Sequence, residues 1–220
     1  MIGVDGADGF DLEVVEGEGK LRPEPLETLH FHHGITGDRL TRVIVFHLAI
    51  TTADDYVAKR EPHRRAHIER LQGLRAAGIV IGGGPTPDGR RVDIFYRLQQ
   101  PGQVSHVVEE DPYFVAGAWT GYTPHSFTHF VEPWEQVPLV LDGTRVATIV
   151  AGPALDEDMA QFALIEARGA GRMAFGGFLS GARTLAVMKT PRGDEAIGWL
   201  ADTGFWKKDA LTARSWLHVL

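Results

Sequence analysis

The hydrophobic and polar positions of this chain alternate between two periods, and the switches between them mark out its elements. Residues 43–50, Val-Ile-Val-Phe-His-Leu-Ala-Ile, are rich in β-branched and aromatic side chains and predict a strand. Thr51-Thr52 and Asp54-Asp55 then supply the side-chain acceptors that start helices, and Pro62 suits a first helical turn restarting after a break. From Pro62 onward His67, Leu71, Leu74 and Gly78 share one helical face, with Arg64, Arg65, Glu69 and Arg75 mostly elsewhere. Gly78 ends that helix, and residues 79–81, Ile-Val-Ile, begin the next strand. Pro87-Asp88-Gly89 is turn chemistry, so residues 91–98 return as a hairpin partner. Residues 101–110 predict a second helix and residues 119–131 a long last strand. The order β-α-β-β-α-β is that of a ferredoxin-like split module, in the α+β class.

The same landmarks recur, in the same order, in the second half. Arg145-Val146-Ala147-Thr148-Ile149-Val150 echoes Arg42-Val43-Ile44-Val45-Phe46, and Gly169-Ala170-Gly171 before Gly176-Gly177 echoes Ala76-Ala77-Gly78 before Gly83-Gly84. Pro191 stands where Pro101 stood, and Ala201-Asp202-Thr203-Gly204-Phe205 where Glu110-Asp111-Pro112-Tyr113-Phe114 stood. Ser215-Trp216-Leu217-His218 then repeats Ser126-Phe127-Thr128-His129. Each match is loose, but their collinearity predicts two copies of one module, at 41–134 and 144–220, with a linker at 135–143 carrying Pro138. In the second copy strands are expected at 144–151, 172–179, 183–189 and 211–219, with helices at 156–170 and 194–201. Residues 1–40 fit neither copy: the first twenty are glycine-rich and acidic, and His30-Phe31-His32-His33 follows.

Composition changes this picture only by exclusion. In 220 residues, 44% hydrophobic content is ample for a core, and a formal net charge of -7 argues against a nucleic-acid partner, which needs a basic stripe. No run is long and apolar enough to cross a bilayer, and the first residues lack the pattern of a signal peptide, so a soluble, cytoplasmic protein is expected. Without cysteine there is no disulfide, thiol nucleophile or thiolate metal site. Gly82-Gly83-Gly84-Pro85 lacks the Lys-Ser/Thr of a phosphate loop, so nucleotide binding is rejected.

Two short pieces carry the candidate chemistry. Arg64-Arg65-Ala66-His67-Ile68-Glu69-Arg70-Leu71 leads into Gly83-Gly84-Pro85, and Asp111-Pro112-Tyr113 follows. Their order and spacing, within about residues 43–134, resemble the YciI-like (YCII-related) family of small α+β domains. That resemblance implies that His67 and Asp111 meet in a cleft as an acid–base pair, that the Gly84-Pro85 edge approaches the substrate, and that no cofactor is needed. Single-copy relatives pair two chains face to face as a dimeric α+β barrel. Here the two copies are expected to pair within one chain as an intrachain pseudo-dimeric barrel, since each bare sheet face gains roughly 25 cal/mol per Å² of apolar area it buries; a homodimer of whole chains stays open.

Read from position alone, His67 shares its face with Leu71 and Leu74 and could be a core histidine bonded to a carbonyl, and Asp111 before Pro112 could be a simple cap. The motif favours the functional reading of both. Arg64, one turn before His67, could clamp a substrate carboxylate or phenolate or be a solvated helix charge; Tyr113 would wall the cleft. On the last strand, period two puts Ser126 and Thr128 on one face and His125, Phe127 and His129 on the other, with Ser126 a candidate substrate contact. His63 and His67 have metal-chelating i,i+4 spacing, but no motif places a third ligand, and no metal is expected. The second copy has Ala160 or a neighbour in place of His67, so it is expected to supply apolar lining from Phe162, Phe175, Phe178, Phe205, Trp206 and Trp216. The expected function is a small-molecule enzyme of lyase, isomerase or cyclase type, moving a proton on an aromatic or polyketide-like substrate. The alternative is a non-catalytic ligand-binding or accessory protein of the same fold.

Overall fold

A computed structural model describes residues 43–220, so the expectations for residues 1–40, including His30, His32 and His33, lie outside the described residues. The first half runs β1 (Ile44–Thr52), α1 (Tyr56–Arg60), a 3₁₀ turn (Glu61–His63), α2 (Arg64–Ala76), β2 (Val80–Pro85), β3 (Arg91–Leu98), α3 (Gln103–Glu109), α4 (Pro112–Val115) and β4 (Trp119–Val131). The second runs β5 (Val146–Pro153), α5 (Glu157–Gly169), β6 (Met173–Leu179), β7 (Arg183–Met188), α6 (Gly193–Ala201), a 3₁₀ turn (Lys208–Ala210) and β8 (Thr212–Leu217). The first helix is split where Pro62 sits inside the 3₁₀ turn, so α2 begins two residues beyond the expected restart. Gly78 and Gly171 hold φ near +73° just past α2 and α5, a left-handed ending that a side chain would disfavour. Asp156 caps α5 by accepting the Met159 N–H at 3.1 Å.

The eight strands form one antiparallel sheet in the order β2-β3-β1-β4-β6-β7-β5-β8. Each half contributes four strands in the same relative order, and the halves join where Phe127 pairs with Leu179 and Phe130 with Gly177. At the far ends the chain beyond β8 reaches β2: the N–H groups of Val219 and Leu220 donate to Gly83 O at 3.0 and 3.1 Å, and Trp216 Nε1–H donates to Gly84 O at 2.8 Å.

β1 and β3 are covered on both faces, which explains their almost unbroken apolar runs, whereas β4 and β8 leave much of their length exposed. Phe46, Leu48, Ile50, Val92 and Ile94 pack under the first half's helices, and Ala160, Leu164, Phe178, Leu200 and Trp206 form the matching layer of the second. Between them a third core draws on both halves: Val45, Phe95 and Phe127 from the first, Ile149, Phe175 and Trp216 from the second. The aromatic set expected as apolar lining divides: only part of it faces the first half. Phe175 and Trp216 lie in the shared core, Phe178 and Trp206 lie beneath helices, and Phe162 is 62% exposed on the outer face of α5.

Candidate active site

Helix α2 turns His67 inward, and Asp111 meets it from the turn between α3 and α4. His67 Nδ1 lies 2.8 and 3.0 Å from the two Asp111 carboxylate oxygens, with His67 6% exposed and Asp111 fully buried. The same carboxylate caps α4, accepting the Tyr113 N–H at 2.9 Å. Pro112 at the first helical position needs no N–H of its own, so the turn is built to fix this carboxylate. The Tyr113 ring then stacks on the imidazole, with centroids 3.7 Å apart and planes at 13°, and Trp119 meets it edge-on at 5.3 Å. One bifurcated hydrogen bond from Nδ1 and two aromatic contacts thus leave His67 little freedom, with Nδ1 committed to the carboxylate.

His67 opens on a cavity of about 250 Å³. Arg64, Gly84, Pro85 and Tyr113 line it, together with Tyr56, Arg60 and Trp119. The second half closes it through Leu217, Val219 and Leu220. Asp111 stands behind the imidazole and not on the cavity wall. Ser126 is not brought to this site: it pairs with Phe46 across β1–β4 and is exposed, while the neighbouring Phe127 enters the shared core.

The wall is cationic and aromatic. Arg60 lies 5.0 Å over the Tyr56 ring, and its Nε is buried with no hydrogen-bond partner among the described residues. Trp119 Nε1 is in the same condition. Burial, reinforced by Tyr56, pushes the Tyr113 hydroxyl above its usual range, so it stays a donor. Tyr56, Arg60, Arg64 and His67 follow one another at helical spacings of four, four and three. That stripe was available in the sequence but was obscured by the break at Pro62. Among the described residues no group of three His, Cys, Asp or Glu side chains is arranged to hold a metal ion.

The second half has no counterpart of the pair. Ala160 is fully buried on α5 where an imidazole would be needed, and Asp202 is exposed at the end of α6. A different buried pair escaped the sequence reading. His47 Nε2 lies 2.7 Å from Asp93 Oδ1, and Asp93 also accepts from Arg91 Nη2 at 3.0 Å and from Arg214 Nη2 at 2.8 Å. Arg214 comes from β8, so this cluster ties the halves together; a lone Asp inside the apolar run of β3 was its one signal. The His47 and Arg214 partners hold the Asp93 carboxyl well below the usual range despite the opposing effect of burial, and burial keeps His47 below its own.

No protein-family model and no curated protein sequence matches the chain. Solved structures do resemble it. A candidate monooxygenase from Lactobacillus acidophilus NCFM matches over 81% of this chain and 95% of its own, at 11% identity and a TM-score of 0.51. A second candidate monooxygenase, from Fusobacterium nucleatum subsp. nucleatum ATCC 25586, covers 81% and 93% at 8% identity and a TM-score of 0.50. The 5-chloro-2-hydroxyhydroquinone dehydrochlorinase of Burkholderia phenoliruptrix AC1100, solved with 2,5-dihydroxybenzoquinone, covers 39% of this chain and 94% of its own at 21% identity and a TM-score of 0.35. At such identities the likeness establishes the fold, that of ferredoxin-like α+β barrel proteins, and not the activity.

Proposed function

We propose that this chain is a small-molecule enzyme in which His67, held by Asp111, transfers a proton without a cofactor. The two halves act as a pseudo-dimeric barrel with a single site per chain. The observation that carries this reading is His67 at the wall of a cavity, held from behind by Asp111. A carboxylate on Nδ1 sets the imidazole tautomer and leaves Nε2 to exchange a proton with a bound molecule. Arg60 and Arg64 suit an anionic oxygen, and Tyr56, Tyr113 and Trp119 suit a flat ring, so the substrate class is a hydroxylated aromatic or an enolisable, polyketide-like carbonyl compound. Nε2 takes a proton from the substrate's hydroxyl or acidic carbon as Arg60 and Arg64 hold the resulting oxyanion; returning that proton elsewhere gives an isomerisation, and loss of a leaving group gives a lyase reaction.

The test is solvent exchange. A panel of chlorinated and hydroxylated phenols and of β-dicarbonyl compounds is incubated with the protein in D₂O and followed by NMR. The reading predicts catalysed deuterium incorporation or turnover for members of one class, lost in His67→Gln. Binding without exchange, or exchange that survives His67→Gln, would overturn it in favour of a ligand-binding protein.

A further inference from the structure

A second pocket, of about 60 Å³, lies apart from the His67 cavity and is lined by Trp134, Glu135, Arg168, Phe175, Lys189 and His218, among others. Two of the nitrogens on its lining residues have no partner among the described residues. His218 is 5% exposed, stacks on Trp216 at 4.8 Å, and keeps its Nε2 buried with no hydrogen-bond partner among the described residues. Arg168 lies over the Trp134 ring and donates from Nη1 to Glu132 O at 2.7 Å, yet its Nε is likewise buried without a partner. Lys189 is exposed at the rim. Unpaired buried polar atoms are costly, and two of them beside one small pocket call for a common partner.

Size and charge narrow that partner. A water needs roughly 10–15 Å³ of such space, so this pocket has room for one tetrahedral or trigonal anion. Arg168 and Lys189 face a single lining carboxylate, Glu135, and Arg75 and Arg145 lie close enough to act on His218. In a chain with a formal net charge of -7 this is a local excess of positive charge. Burial and those cations lower the His218 ring to about 4, so it is neutral at pH 7, with one nitrogen free to accept, and Nε2 is the nitrogen without a partner among the described residues. We propose that this pocket binds a small oxyanion that carries a proton, such as hydrogenphosphate: its hydroxyl donates to His218 Nε2, and Arg168 and Lys189 take its charged oxygens. The site is independent of the proton-transfer centre, although Leu217 and Val219, which flank His218, line the larger cavity.

Titration of the whole protein with inorganic phosphate, at constant ionic strength in chloride, tests this by NMR of the histidine ring nitrogens with parallel calorimetry. The His218 signal is assigned by its loss in His218→Gln. Expected are a saturable shift of that signal, a matching single-site heat, and affinity weakened at least tenfold in Lys189→Gln. Because Lys189 is exposed, that variant keeps the test decisive should His218→Gln fail to fold. Overturning results are a His218 signal no more sensitive to phosphate than to chloride, or phosphate binding unchanged in Lys189→Gln.

Discussion

Asp111 accepts two bonds that ordinarily belong to different tasks, the Tyr113 N–H that starts α4 and the ring of His67. The cap and the histidine partner were alternatives in the sequence, whereas in the folded chain one carboxylate makes both contacts. Asp111→Asn keeps an acceptor for the cap but places an amide against His67. It is expected to cost about 1–3 kcal/mol of stability and to lower turnover by less than His67→Ala does, as read by urea denaturation and steady-state rates. Away from the site, His218 sets an acid response. Its folded value of about 4 lies below the usual 6.5, so between those limits the unfolded chain binds the extra proton. Stability should fall as pH drops from about 6.5 towards 4, by about 3 kcal/mol from this group, with His47 acting in the same direction. Asp93, whose carboxyl is held low, adds a further loss as pH falls through the usual carboxylate range and below. Denaturation midpoints in phosphate-free buffer should decline with acid in the wild type and decline less in His218→Gln; equal slopes would contradict the assignment.

Among the elements, the paired glycines of the repeat turn out to mark the two places where the halves touch. A Cβ on Gly84 would stand 1.7 Å from Leu217 O, and one on Gly177 would stand 1.9 Å from His129 O. The first position seats the chain beyond β8 on β2, and the second seats β4 on β6. Gly84→Ala should therefore cost about 3 kcal/mol or more, whereas Gly73→Ala, in open space on α2, should stabilise by about 0.5–1 kcal/mol. Equal denaturation midpoints for the two variants would remove the steric account. The strands and helices themselves were legible: residues 91–98 and 119–131 were expected as strands, and β3 and β4 span those same residues. What period and turn chemistry could not show was which strand meets which across the halves, because that depends on contacts between residues more than forty positions apart. Phe162 was misplaced for the same reason: an aromatic on a helix does not reveal which face the other half covers.

Taken whole, the two halves contribute different residues to one cavity and one buried cluster. The first half carries the His67–Asp111 pair, and the second supplies Leu217, Val219 and Leu220 to the cavity and Arg214 to the buried Asp93. Asp93→Asn breaks a buried charge cluster that spans the halves and should cost about 3–5 kcal/mol, measurable as a fall in the thermal midpoint. The motif residues were legible because their spacing is local. Arg60, Trp119 and the second-half wall were not, since only the folded chain brings them to the same cavity. The central claim is that one histidine, in one half, does the chemistry. Its most direct test is turnover and thermal midpoint measured together on wild type, His67→Ala and Asp202→Asn, with a compound found by the exchange screen. The prediction is a 10²–10⁴-fold loss of turnover in His67→Ala with the fold intact, and near-normal turnover in Asp202→Asn. Retained turnover in His67→Ala, or an equal loss in Asp202→Asn, would contradict it.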